Sequence, residues 1–200
     1  DDLSRGLGDV YKRQPEMLSQ TGITGRQFAH LLIRAHQENH QNHFPDLERA
    51  AEEVGLKRLN LSVEDLIDIA KSMGLDIRWV DRAPQDVIDE LGVSAKQLIT
   101  SFMEAPGTIY LNKRMRDYPT RLKYDLAVYI GHRVLHSSDG MSNVLSIGHQ
   151  NNWEQSGSQV SNSELNSQDI LQAWRDFESS FFAGALLCPK VPFRQLLDRS

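Results

Sequence analysis

Residues 124–136 read YDLAVYIGHRVLH, and this stretch decides how the rest of the chain is interpreted. It lies in a segment that predicts a helix from about Thr120 to His136. His132 and His136 stand four positions apart, so a helix places both on one face. Such a pair is either two metal ligands or two partly buried histidines beside a pocket. The residues at the neighbouring positions help to decide between these two interpretations.

In the H-E-x-x-H motif of zinc peptidases, two histidines bind the metal and the glutamate polarises the bound water. When His132 is placed on the second histidine of that motif, Val128 stands at the first ligand position and Tyr129 at the position of the general base. The residues between His132 and His136 offer no base either. The pattern therefore predicts a helix of the zinc-peptidase type without its catalytic pair.

Composition limits the class of protein. The chain has 200 residues, 40% of them hydrophobic, enough for one domain or a domain with a fragment of the next. Its formal net charge of -5 argues against a chain that itself neutralises DNA phosphates. Its single cysteine, Cys188, excludes an internal disulfide. No apolar run approaches the roughly 18–20 residues that span a bilayer, and no signal peptide opens the chain. We expect a soluble cytoplasmic protein without a membrane partner.

Capping and breaking residues predict an α+β chain that is predominantly helical, with two short strands. Residues 137–167 are rich in Ser, Asn, Gln and Gly and predict largely a loop. The predicted helices span about 24–42, 45–55, 62–73, 84–91, 95–103, 120–136 and 168–187, and the predicted strands span 75–80 and 108–112.

Both ends of the sequence look like cuts. Residues 1–14, DDLSRGLGDVYKRQ, lack apolar periodicity and resemble a translated adapter tail found on reading frames assembled from environmental DNA. We exclude them from functional interpretation. The predicted division is an artefactual tail over 1–14, one domain over 15–189 and the start of a truncated C-terminal region over 190–200.

Histidines also gather in the first predicted helix and the residues after it. His36 and His40 have the i, i+4 spacing of metal ligands, but no carboxylate or cysteine completes a recognisable set, and the polar neighbours favour a solvated face. A third donor beside His132 and His136 has to come from elsewhere, and Asp176 or Glu178 of the last helix are the acidic candidates.

Three segments in order resemble the core of the ImmA/IrrE metallopeptidases. They are strand TIYLN (108–112), helix RLKYDLAVYIGHRVLH (121–136) and helix WRDFESSFFAGALLCP (174–189). The resemblance implies a zincin-like core with short strands. Because the first ligand and the glutamate are replaced, it implies a degenerate domain with no catalytic residue and no metal site. The positions that match the family pattern are Ala127, Gly131, His132, His136, Phe182, Ala183, Leu186, Leu187 and Pro189.

A longer resemblance covers nearly all of residues 15–200. The stretches at 15–66 and 167–199 are similar to the middle region of Xre-type transcriptional regulators related to the short-chain fatty acyl regulators. This implies that residues 15–189 sense a short-chain acyl-CoA or a related metabolite. It also implies DNA binding only through a helix-turn-helix domain that this chain lacks, and a homodimer. No cofactor is expected other than the acyl-CoA effector.

The same resemblance suggests where the effector binds. We expect Tyr129, His132, His136, Trp174 and Arg175 to line or support the former peptidase cleft. The alternatives are that Tyr129 fills a collapsed cleft as core, or that His132 and His136 bind zinc with an acidic residue in an active hydrolase. A further alternative is a dimerisation module that uses the helices at 24–42 and 62–73 as its interface.

Overall fold

The computed structural model describes residues 25–91, 101–136, 144–146 and 167–190. Over these ranges the chain is α+β and mostly helical, as predicted. It divides into two units, which we describe separately: residues 1–44 with 157–177, and residues 45–156 with 178–200. The predicted boundary at residue 14 lies outside the described ranges. Among the described residues, no helix is long and apolar enough to cross a membrane.

The first unit contains helix α1, Gly25–Asn39. Ala29 and Ile33 are the buried apolar residues of this helix. The helix was predicted to reach residue 42, but Gln41 and Asn42 take left-handed backbone conformations with φ of 50° and 56°. Because a right-handed helix cannot continue through such residues, α1 ends three positions early. The last helix of the described chain, Ser167–Leu187, contributes its residues up to 177 to this unit.

The second unit begins with helices α2, Pro45–Gly55, and α3, Val63–Ser72. The capping box predicted at the start of α3 is present: Asp65 N–H donates to Ser62 Oγ at 3.0 Å, and Ser62 N–H donates to Asp65 Oδ2 at 2.9 Å. The Ser62 N–H is also the first cause of a lowered pKa for the Asp65 carboxyl. Gly74, at φ +80°, closes the end of α3 as predicted.

The sheet of this unit has four strands in the order β1-β3-β2-β4. Strand β1 spans Asp76–Val80, β2 Ser101–Glu104, β3 Thr108–Asn112 and β4 Val144–Ser146. Strand β1 runs parallel to β3, while β2 is antiparallel to both β3 and β4. The two predicted strands are therefore confirmed, and the sheet gains two strands that the sequence pattern did not reveal.

Strands β2 and β4 overturn two local predictions. The helix predicted over 95–103 is wrong at residues 101–103, which form β2; residues 95–100 lie outside the described ranges. The segment predicted as largely loop, 137–167, contains β4. Both strands owe their conformation to hydrogen bonds with partners distant in sequence, and a local pattern does not carry that information.

Three further elements and part of a fourth complete the described second unit. Helix α4 spans Gln85–Leu91, a 3-10 helix spans Lys113–Asp117, and helix α5 spans Pro119–His136. Helix α6, Ser167–Leu187, contributes its residues from 178 onward. The core of this unit gathers around α5, whose residues 125–132 are all buried. The quoted stretch is therefore the central helix of its unit.

Candidate functional site

The site begins at the two positions where the peptidase motif is broken. Val128 is 3% exposed and Tyr129 is 0% exposed, and both belong to the hydrophobic core. Neither side chain faces solvent. Ordinary core packing therefore accounts for the apolar atoms of both, while the tyrosine hydroxyl needs a polar partner inside the protein.

That partner is Ser101, the first residue of strand β2. The Tyr129 hydroxyl lies 2.9 Å from Ser101 Oγ, and Ser101 Oγ donates to Asp125 Oδ2 at 2.7 Å. Asp125 lies one helical turn before Tyr129 on α5, which places both side chains on the same face toward the strand. The three side chains form a hydrogen-bonded chain, and Ser101 and Asp125 are 1% and 0% exposed.

Arg121 completes this network from the surface. Its Nε donates to the second carboxylate oxygen of Asp125 at 2.9 Å, and the Arg121 side chain is 43% exposed. A buried carboxylate is tolerated when it is paired and hydrogen-bonded, and here a guanidinium and a hydroxyl meet that need. The arrangement joins helix α5 to strand β2. It holds the Tyr129 hydroxyl in place through Ser101.

The two histidines of the quoted stretch lie farther along α5. His132 is 4% exposed and His136 is 6% exposed, with their ring centroids 5.9 Å apart. They are therefore on one face, as the spacing predicts, and both are nearly enclosed by protein. Between them, Arg133 reaches outward, and its guanidinium donates to the carbonyl oxygen of Pro106 at 3.4 Å.

Within the second unit, the C-terminal half of α6 packs closely on α5 at Gly131. A Cβ at Gly131 would stand 2.9 Å from Phe182 Cδ1 and 3.1 Å from the carbonyl oxygen of Ser179. Phe182 and Ser179 are both fully buried. The glycine lets the two helices approach closely at the position immediately before His132. The Ser179 hydroxyl has no hydrogen-bond partner among the described residues.

The remaining two predicted site residues, Trp174 and Arg175, belong to the first unit. Trp174 is 6% exposed; its ring centroid lies 4.9 Å from that of His36 and 5.5 Å from that of Phe177. Arg175 is half-buried. The structure therefore groups Tyr129, His132 and His136 in one unit and Trp174 with Arg175 in the other.

The histidines of α1 join the aromatic cluster of the first unit. The His36 ring stacks on Phe44 with centroids 5.1 Å apart and lies 4.1 Å from the ring of His40. His36 is half-buried, whereas His40 is exposed. Burial is the first cause of a lowered pKa for His36, and the neighbouring His40 adds to it. His36 thus takes part in the packing of its unit, while His40 lies on the solvated face that the polar neighbours predict.

Lowering the pH through the ordinary histidine pKa of 6.5 is expected to destabilise the protein through His36. The pKa of His36 is lower in the folded state, so the unfolded state binds the proton first as the pH falls. Acidification therefore stabilises the unfolded state relative to the folded state. This loss begins near pH 6.5 and stops growing below the folded-state pKa. Thermal unfolding between pH 7.5 and 5 should show a weaker pH dependence for His36→Gln than for wild type. Equal slopes for His36→Gln and wild type would contradict the prediction.

The side chains of the described ranges bear on whether His132 and His136 could hold a metal. No group of three His, Cys, Asp or Glu residues there has the arrangement of a metal site. The acidic candidate Asp176 belongs to the first unit, where Gln172 donates to its carboxylate at 3.0 Å. The other candidate, Glu178, opens the portion of α6 that belongs to the second unit.

Comparison with known proteins adds no relative. No protein-family model, no curated protein and no solved structure matches the chain.

The residues that sequence reasoning missed are Ser101 and Asp125. Ser101 was assigned to a helix, and Asp125 was passed over within the quoted stretch. One signal was available: Asp125 is the single acidic residue in the predicted helix, with Arg121 four positions before it. An acidic residue on the buried face of a helix needs a hydrogen-bonding or charged partner, and Arg121 was a candidate for that partner.

Proposed function

We propose that residues 15–189 form the non-catalytic effector-sensing region of a bacterial transcriptional regulator in the cytoplasm. The observation that supports this proposal is the environment of Tyr129. The position of the general base holds a fully buried phenol, and its hydroxyl is engaged by Ser101. A neutral phenol does not take a proton from a metal-bound water as a carboxylate does. The resemblance to Xre-type regulators supplies the class of effector, a short-chain acyl-CoA or a related metabolite.

The proposed effector residues have different roles. Tyr129 has no exposed surface, so it supports the site through Ser101 and does not contact the ligand. His132 and His136 retain a small exposed fraction on one helix face and are the residues of the second unit that would contact the effector. Trp174 and Arg175 lie in the first unit, and their part in effector binding stays a prediction. Binding that favours one arrangement of the regulator over another would shift its affinity for DNA, which a helix-turn-helix domain would contact. The homodimer stays a prediction.

A thermal-shift screen of residues 15–200 tests this function directly. The compounds are acetyl-CoA, propionyl-CoA, longer acyl-CoA thioesters, free CoA and zinc. We expect one acyl-CoA to raise the stability of the folded protein, by about 2.7 kcal/mol at a ligand concentration 100 times its Kd. Arg175→Gln should reduce the response. Arg49→Gln, which removes an exposed arginine of α2, is the matched control and should respond as wild type does.

Three outcomes would contradict the proposal. Stabilisation by zinc alone, accompanied by hydrolytic activity that a chelator abolishes, would favour the zinc hydrolase with His132 and His136 as ligands. The absence of a response to every compound would leave a structural or dimerisation module. Equal stabilisation by free CoA and all thioesters would show that the acyl group is not what the protein senses.

A further inference from the structure

A short basic segment connects strand β3 to helix α5. Residues 113–123 read KRMRDYPTRLK and contain five basic side chains against one acidic side chain, Asp117. The whole chain carries a formal charge of -5, so the residues outside this segment carry -9 once its +4 is subtracted. We refer to residues 113–123 as the basic segment. It concentrates positive charge on an otherwise acidic chain.

The backbone of the basic segment is held in place. Its first five residues form the 3-10 helix, which Asn112 caps by accepting a hydrogen bond from Arg114 N–H at 2.9 Å. Met115, 4% exposed, anchors the same turn in the hydrophobic core. Tyr118 N–H then donates to the carbonyl oxygen of Met115 at 3.0 Å. The cations therefore extend from an ordered turn, so less freedom is lost when they bind a ligand.

Two of the five cations are already engaged. Lys113 pairs with Asp81 at 3.2 Å, at the end of strand β1, and Arg121 pairs with the buried carboxylate of Asp125 at 2.9 Å. These pairs reduce the charge that the segment can offer to a ligand. The Lys113 pair is largely exposed and the Arg121 pair lies within α5, so the order of the segment comes mainly from its capped turn and from Met115.

The other three cations are Arg114, Arg116 and Lys123. Arg114 and Arg116 are exposed, Lys123 is half-exposed, and none of the three forms an ion pair with a described residue. The Arg116 guanidinium lies 4.5 Å from the ring centroid of Trp79, which restricts its position without neutralising it. Since a 3-10 helix rises about 2 Å per residue, Arg114 and Arg116 lie within a few ångströms along its axis. With three residues per turn, however, the two side chains leave the helix roughly 120° apart, so they offer two separate cationic contacts.

An aromatic side chain stands within the same segment. Tyr118 follows the 3-10 helix directly and is 63% exposed, whereas most large apolar side chains of the described second unit are packed in the core. An exposed ring two positions from an exposed arginine, Arg116, is a combination that can stack an aromatic base while cations hold its phosphates.

We propose that the basic segment binds the phosphate groups of a small nucleotide-bearing anion, with Tyr118 stacking on its base. A small anion fits better than a nucleic acid, because a polymer extending beyond the segment meets the net negative charge of the remaining residues. The inference rests on the proposed function, since the nucleotide end of coenzyme A is the part of an acyl-CoA that has this chemistry.

The test measures binding by titration calorimetry at two salt concentrations, with four ligands. Adenosine 3′,5′-bisphosphate carries phosphate groups and the base without pantetheine, whereas pantetheine carries neither phosphate nor base. Coenzyme A carries the nucleotide and the pantetheine together. A single-stranded oligonucleotide of roughly ten nucleotides represents a polymer. The variant is the double substitution Arg114→Gln with Arg116→Gln. Its control, Arg34→Gln with Lys71→Gln, removes two exposed cations elsewhere and changes the net charge equally.

We expect adenosine 3′,5′-bisphosphate and coenzyme A to bind wild type, more weakly at high salt, and pantetheine not to bind. The double substitution in the basic segment should weaken both by about tenfold or more, and Tyr118→Ala should weaken them further, while the control pair stays near wild type. Undiminished binding of coenzyme A to the variant overturns the segment as the site and leaves the proposed function intact. Binding of the oligonucleotide without the bisphosphate, or of neither, overturns the inference. Tight bisphosphate binding with no discrimination among acyl groups supports the segment and counts against the proposed sensor.

Discussion

Replacing Asp125 with alanine is expected to lower the free energy of unfolding by about 2–3 kcal/mol. The substitution removes the acceptor of two hydrogen bonds, one from Ser101 Oγ at 2.7 Å and one from Arg121 Nε at 2.9 Å. It also leaves a small void, because the Asp125 side chain is fully buried. The Ser101 hydroxyl retains Tyr129 as a hydrogen-bond partner. The loss of stability is therefore smaller than it would be if Ser101 were left with no partner. Urea unfolding followed by circular dichroism measures it.

Tyr129→Phe is the comparison that isolates the network from simple packing. It keeps the ring in the core and removes only the hydroxyl, while Ser101 continues to donate to Asp125. We expect this variant to lose less than about 1.5 kcal/mol. A loss for Tyr129→Phe as large as that for Asp125→Ala would show that the tyrosine hydroxyl, and not the carboxylate, is the centre of the network.

Gly131→Ala is expected to destabilise the second unit by about 1–3 kcal/mol. The new methyl group would stand 2.9 Å from the ring of Phe182 and 3.1 Å from the backbone oxygen of Ser179. A buried aromatic ring and a helix backbone cannot move far to make room for the added methyl group. The usual gain of nearly 1 kcal/mol for alanine over glycine inside a helix therefore offsets only part of the cost.

Gly184→Ala provides a control of opposite sign on helix α6. A Cβ at Gly184 meets no atom within 4 Å, and the residue is exposed. The substitution should therefore raise stability by up to about 1 kcal/mol. Thermal unfolding of both variants under one condition gives the comparison. A stabilised Gly131→Ala protein would mean that α5 and α6 can separate at this point without cost.

Local signals in the sequence were enough to locate most helices. Pro45 and Gly55 bound α2, and the capping box of Ser62 and Asp65 opens α3, because each signal acts through hydrogen bonds or sterics within one turn. The end of α1 was misplaced because nothing local required Gln41 to leave the helical conformation.

The site was harder to predict than the helices. The spacing of His132 and His136 and the replacement of the catalytic pair could be read directly from the sequence. The network could not, because Ser101 meets Asp125 and Tyr129 across 24 and 28 positions and lies on a strand created by its partners in the sheet. Pairing across such distances depends on the assembled sheet, which no local window contains.

The order of strands in the sheet also bears on how the second unit folds. Strands β2 and β3 form a hairpin whose paired ends, Glu104 and Thr108, are four positions apart, so their contact requires little chain closure. In the described sheet, β1 pairs with β3, and that joins Asp76 to Thr108 across 32 positions. Early folding is therefore expected to produce the hairpin first and to add β1 afterwards. Until β1 pairs with β3, one edge of β3 stays open to pairing with another chain. The domain is therefore expected to be most prone to aggregation after the hairpin forms and before β1 is added.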